Sequence, residues 1–129
     1  MPREVKYRAW DKIDKKMRQV VMLDTYSKFQ TVFFNERTSN NNGYRFSSDG
    51  CELMEYTGLK DRNGKEIYEG DIVTGLFNYT DIIGPIVYGS DASFFINREG
   101  LYGIGLNNAE DWLEVIGNIY ENPELLQKE

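Results

Sequence analysis

Histidine is missing from this chain, and only one cysteine is present. The first absence removes the Ser-His and Cys-His nucleophile pairs and the usual zinc ligands. The second means that Cys51 has no intrachain disulfide partner. Cys51 lies in an alternating apolar run beside Glu52, whose carboxylate disfavours a thiolate, so it reads as a buried strand residue. Proline occurs three times, and no apolar run approaches a membrane span. The opening Met-Pro-Arg-Glu has no signal-peptide core, so cytoplasmic residence is the expectation. Calcium loops, phosphate loops and glycine-rich dinucleotide fingerprints are also lacking.

What is present is rich in rings. Of the 129 residues, 14% are aromatic, including nine Tyr and seven Phe, and strands favour such side chains. The length suits one domain or one with a small appendage, enough to bury a core without staples. Apolar content of 40% and charged content of 28% are ordinary for a soluble globular chain.

The charge is unevenly placed. Residues 1–18 carry seven Lys/Arg against three acids, while the remainder carries eight basic and eighteen acidic residues. This basic strip suits nucleic acid, the acidic body of another copy, or a solvated hairpin whose lysines guard an edge.

Alternation organises the chain. Residues 4–10 place Val5, Tyr7 and Ala9 on one face and Lys6, Arg8 and Trp10 on the other. A polar turn follows, and Met17 to Leu23 returns as the second strand of a hairpin. Residues 28–34 form a third β-prone run. The polar, Asn-rich residues 36–43 are the best candidate for a mobile loop or boundary. Short runs at 44–47 and 51–56 lead into two turns, at Asn63-Gly64 and Glu69-Gly70-Asp71. Further runs cover 71–79, 81–88, 93–97, 101–106 and 112–120. Gly84-Pro85 suits an edge or bulge rather than a central strand. Asn122-Pro123-Glu124 reads as a helix start: cap, first-position proline, first-turn acid. No internal repeat is present.

The expected fold is mainly β. An N-terminal β-hairpin or meander with the Asn-rich loop spans 1–50, and a barrel or roll with a short C-terminal helix spans 51–129. The two halves could also be one compact unit.

Three stretches, in order, carry a family resemblance. They are Lys6-Tyr-Arg-Ala-Trp-Asp11 followed by Lys16-Met17; Tyr56-Thr-Gly-Leu-Lys-Asp-Arg-Asn-Gly-Lys-Glu-Ile-Tyr-Glu-Gly-Asp-Ile-Val73; and Glu114-Val-Ile-Gly-Asn-Ile-Tyr-Glu-Asn-Pro-Glu-Leu125. Together they resemble the YopX family of phage and prophage proteins. The resemblance implies an SH3-like barrel or roll in the C-terminal half, a β element before it, and a phage or prophage origin in a bacterial host. It implies no activity, cofactor or metal.

The residues assign no catalytic role. Asp61, Glu66, Glu69 and Asp71 cluster in sequence as metal or acid–base candidates, but they fall in turns where such acids are expected. The aromatics are more informative. Alternation forces Phe94 and Phe95 onto opposite faces, so some ring surface is left outside the core. Exposed rings stack single-stranded nucleic acid, dock peptides or close a self-interface.

The reading is a non-enzymatic interaction protein, self-associating and binding a host or phage protein, with no cofactor and no membrane contact. Its candidate partner or self-interface residues are Lys6, Arg8, Trp10, Lys15, Lys16, Tyr79, Tyr88 and Phe95. If the basic strip of one copy meets the acidic body of another, assembly is salt-sensitive. The alternative is a nucleic-acid accessory protein that uses the basic hairpin and stacked rings. Net charge −6 and a pI near 4.7 weigh against it, because phosphate contacts dominate such affinity. A metal-dependent enzyme is a third, weaker reading.

Overall fold

The computed structural model describes residues 6–26 and 30–127. The first part of the third β-prone run, and Val5 of the first, lie outside the described residues. Eleven strands account for about half of the described chain and pair into two antiparallel sheets, so the fold is mainly β. It divides into two units, with the boundary between residues 55 and 56.

The N-terminal unit is an antiparallel sheet. β1 (Tyr7–Asp11) pairs with β2 (Lys16–Asp24), β2 with β3 (Thr31–Phe34), and β3 with β4 (Tyr44–Phe46). On its other side β1 pairs with residues 51–55 of β5 (Cys51–Lys60). The meander follows from alternation, since β1, β2, β3 and β5 turn apolar side chains inward while β4 turns Arg45 inward. The apolar set is Ala9, Val32, Phe34 and Cys51, with Val20, Leu23 and Leu53 packed against it.

The C-terminal unit begins where β5 leaves β1. Gly58 takes φ 87° and the ladder shifts register between Tyr56 and Lys60, so a bulge bends the strand into a hairpin with β6 (Glu66–Tyr68). The Thr57 hydroxyl donates to the Ile67 carbonyl at 2.7 Å and holds the bend. Then come β7 (Asp71–Phe77), β8 (Thr80–Tyr88), β9 (Phe94–Ile96), β10 (Ile104–Gly105), the one-turn helix α1 (Ala109–Trp112) and β11 (Glu114–Asn118). The sheet order is β10-β9-β8-β7-β11. No pairing joins β10 to β11, so the sheet is open rather than a closed barrel. Its inner face and α1 bury Ile67, Val73, Ile86, Ile96, Ile104 and Leu113, among others. Each such aliphatic side chain contributes about 1.5–3 kcal/mol on burial.

Three local expectations change. β8 is central, not an edge, despite Pro85. The proline carbonyl accepts the Asn97 N–H at 2.9 Å just past the end of β9, so its missing N–H falls where that ladder stops. Trp112 belongs to α1, not to the last strand. The C-terminal helix is a single 3₁₀ turn, Pro123–Leu126, and Asn122 does not cap it with its side chain. That side chain instead accepts the Asn118 N–H at 3.2 Å.

Candidate functional site

Charge in the N-terminal unit converges on Asp11. The β1 alternation that points Ala9 inward also points Asp11 inward, and Arg18 stands opposite Ala9 on β2. Asp11 Oδ2 accepts from Arg18 Nε at 3.0 Å, and Oδ1 accepts from Arg45 Nε at 3.0 Å. Oδ1 also takes the Ile13 and Asp14 N–H groups, closing the β1–β2 turn. Burial pushes the Asp11 carboxyl up, but Arg45, the Asp14 N–H and Arg18 together hold it below its ordinary value.

Asp14 extends the cluster. It faces Arg18 Nη2 at 2.6 Å, Arg45 Nη2 at 3.3 Å, and Ser39, which donates through its hydroxyl and its N–H. The Ser39 hydroxyl is the main cause that lowers the Asp14 carboxyl to about 2. Glu36 accepts from Arg18 Nη1 at 2.8 Å and from Lys16 at 3.2 Å. Lys16, then Arg18, hold Glu36 low.

Residues 36–43 are therefore tied down rather than loose. Thr38 is buried, with its hydroxyl 2.5 Å from Asn40 Oδ1 and 2.7 Å from Asn42 Oδ1. Arg45 Nη1 donates to Asn40 at 3.2 Å. Most polar groups here have protein hydrogen-bond partners; Arg45 Nη2 is buried without one and faces Asp14 Oδ1 at 3.3 Å as an ion pair.

Cys51 lies beside it, 1% exposed. Burial, then the Asp11 and Glu52 charges, push its thiol up to about 11, so no thiolate is available at neutral pH. Two acids of the double turn, Asp61 and Asp71, are also engaged. Asp61 accepts the Asn63, Lys65 and Val115 N–H groups, each at 2.9 Å. Burial raises its carboxyl, but those three donors outweigh it and the net shift is downward. Asp71 accepts the Tyr68 N–H at 2.7 Å. Among the described residues, no three His, Cys, Asp or Glu side chains are grouped to hold a metal.

The eight candidate interface residues divide between the units. Lys6, Arg8 and Trp10 are half-buried, the last two within β1. Lys15 is exposed in the β1–β2 turn, and Lys16 opens β2 paired to Glu36. Much of the basic strip is spent internally: Lys12 pairs with Glu52 at 2.9 Å, and Arg18 is buried. Alternation had both signals, since Arg18 shares the parity of Val20 and Asp11 that of Ala9. Reading charge by segment missed them.

Tyr79, Tyr88 and Phe95 lie in the C-terminal unit. Phe95 is half-buried over Gly89 and Gly103, where any Cβ would collide with its ring. Tyr88 packs edge-on against Phe94, centroids 4.9 Å apart. Tyr79 stands at the opposite end of β8. Phe77 pairs with Thr80, leaving Asn78-Tyr79 as a two-residue loop with φ 50° and 66°. Both residues are left-handed, as a type I′ turn requires. Glycine is the favoured second residue there; a bulky side chain costs about 1–2 kcal/mol. Tyr79 is nonetheless 98% exposed.

Beside this hairpin lies a cavity of about 470 Å³. Its lining comprises Leu76, Phe77, Asn78, Gly103, Ile104, Gly105, Asn107, Asn108 and Trp112. The Phe77 and Trp112 rings tilt together with centroids 5.8 Å apart, and the Trp112 indole donates to the Asn107 carbonyl at 3.0 Å. No charged side chain lines it.

These features define a mainly β protein of two units, each built of antiparallel strands, with exposed aromatic side chains on the C-terminal unit. The family model described as YopX protein matches residues 6–127, and the chain belongs to the YopX family. Among solved structures, it is similar to protein EF1440 from Enterococcus faecalis, at 29% identity and TM-score 0.69, over 98% of this chain and 100% of that one. It shares its fold with protein yopX from Bacillus subtilis, at 24% identity and TM-score 0.67, over 96% and 97%. No curated protein matches the chain. No helix among the described residues is long and apolar enough to cross a membrane.

Proposed function

We propose that this is a non-enzymatic protein of phage or prophage type. It associates with further copies of itself and with a protein partner, in the cytoplasm of a bacterial host. The observation that carries the reading is the aromatic surface left uncovered on the C-terminal unit: Tyr79 at 98% and Tyr102 at 93% exposure, with Leu76 and Leu101 also outward. Exposed rings of this kind are typical interface anchors. The chemistry of the reactive side chains supports a non-enzymatic role. Cys51 is sealed and protonated, and Asp11, Asp14, Asp61 and Asp71 are occupied by donors from the fold itself. Nucleic acid is less well supported, because Lys12, Lys16 and Arg18 already face intramolecular acids.

The test is a pull-down of the tagged full chain from bacterial lysate, with and without nuclease, read by mass spectrometry. The proposal expects untagged copies and a stoichiometric protein that survive nuclease. Recovery of nucleic acid alone, or loss of every partner after nuclease, contradicts it.

A further inference from the structure

We infer that the sheet edges of this chain are closed to strand addition: no extended segment, from a second copy or from a partner, pairs with them while the side chains that plug them stay in place. This goes beyond the reading above, which assigns binding to exposed rings, and it stands or falls without it.

A terminal strand offers a row of backbone N–H and C=O groups to any strand laid beside it. Among the described residues the terminal strands are β4, β6, β10 and β11. Next to β4, the Phe34 N–H donates to the Gly43 carbonyl and the Ser47 N–H to the Gln30 carbonyl. Alternation therefore turns the Tyr44 and Phe46 backbone away from β3. Those groups do not stay open. Asn42 Oδ1 accepts the Tyr44 N–H at 3.1 Å, and Arg45 Nη1 donates to the Tyr44 carbonyl at 3.4 Å. The Gly50 N–H donates to the Phe46 carbonyl at 2.9 Å.

β11 is plugged at both ends. Asp61 Oδ2 accepts the Val115 N–H at 2.9 Å, and the Arg62 N–H donates to the Leu113 carbonyl at 2.9 Å. Asn122 Oδ1 accepts the Asn118 N–H at 3.2 Å. Gly117 makes this approach possible, since a Cβ there would lie 2.6 Å from Asn122 Oδ1. Between the two plugs the ladder with β7 shifts register, so Ile116 is the extra residue of a bulge and the row is broken again. On β6, Asp71 Oδ2 accepts the Tyr68 N–H at 2.7 Å. β10 has two residues, too short to act as a template.

One Asp or Asn bonded to a nearby backbone group is ordinary turn chemistry. Here such a bond falls on three of the four terminal strands, and the fourth has no length to offer. The chemistry is also the right one. A carboxylate or amide oxygen occupies the N–H that the carbonyl of an incoming strand would take. Strand addition draws its affinity from just those main-chain bonds, so an extended peptide finds little to pair with.

The experiment is amide hydrogen exchange of the full chain, joined to fluorescence of thioflavin T, a dye that reports stacked strands. The parent chain is compared with Asn42→Ala and Asn122→Ala, which remove the plugging oxygen, and with Asn42→Asp and Asn122→Asp, which keep one. In the parent, the Tyr44, Val115 and Asn118 N–H groups should exchange at least about tenfold more slowly than in an unstructured chain, as bonded groups do. In each alanine variant the N–H it uncovers, that of Tyr44 or Asn118, should lose about tenfold of that protection. The same variants should gain dye-positive assembly that the aspartate variants lack. Assembly of the parent through side chains leaves the dye dark, so failure of the self-association reading and failure of this one are told apart. Dye-positive assembly of the parent would overturn the inference, as would edge N–H groups that exchange at the unstructured rate. So would alanine variants that exchange like the parent or stay as dark as the aspartate ones. If one alanine variant loses its cooperative unfolding transition, the other variant and the parent's own exchange decide.

Discussion

Asp11 holds the N-terminal unit by accepting two guanidinium groups and two turn N–H groups with one buried carboxylate. Replacing it with Asn keeps the size but leaves Arg18 and Arg45 buried without their shared counter-charge. Breaking a buried pair from one side costs about 3–5 kcal/mol. Asp11→Asn should therefore lower unfolding stability by about that amount in denaturant titration; a loss under about 1 kcal/mol would show that Asp14 and Glu36 suffice. Cys51 makes a separate prediction. Its folded thiol is raised from the ordinary 9.0 to about 11, so above pH 9 the unfolded chain ionises first. Its contribution is constant below pH 9 and is lost between pH 9 and 11, on the order of 2 kcal/mol at the end of that window. The stability gap between the parent chain and Cys51→Ala, measured at pH 8 and pH 10.5, should narrow. A gap that stays constant would contradict a buried, protonated thiol.

At the scale of elements, alternation and turn chemistry made most of the β architecture legible. The Asn63-Gly64 and Gly70 turns fall where expected, with the glycines at φ 82° and 88°. What failed had other causes. α1 is one turn long, too short for any periodicity, and the ring of Trp112 mimicked a strand start. Its backbone is fixed instead by the indole's bond to the Asn107 carbonyl and its packing on Phe77. Pro85 sits centrally because the β8–β9 ladder ends beside it, and a ladder's end is invisible before strands are paired. Gly84 marks the same place: a Cβ there would come within 2.5 Å of the Asn97 carbonyl oxygen, which is backbone and cannot swing away. Gly84→Ala should cost about 1–3 kcal/mol by overpacking, while Gly105→Ala should be nearly neutral. Equal thermal midpoints for the two variants would refute the close β8–β9 approach.

At the scale of the whole molecule, the candidate site was only half legible. Parity alone placed Phe94 and Phe95 on opposite faces, and Phe94 packs on the core while Phe95 lies over Gly89 and Gly103. Part of the basic strip is spent on partners from distant sequence: Glu36 and Glu52 are brought to Lys16 and Lys12 by strand pairing. The self-interface is therefore expected to be uncharged rather than ionic, and this changes the sign of the salt dependence. Salt dissolves an ionic assembly, but it screens the mutual repulsion of chains carrying −6 and so favours an apolar one. The most direct test of the central claim is the mass of the chain by sedimentation equilibrium against concentration, at low and high salt. The account predicts a mass that climbs above 15.0 kDa with concentration and is equal or greater in high salt. A mass fixed at 15.0 kDa under every condition, or an oligomer that salt dissolves, would contradict it.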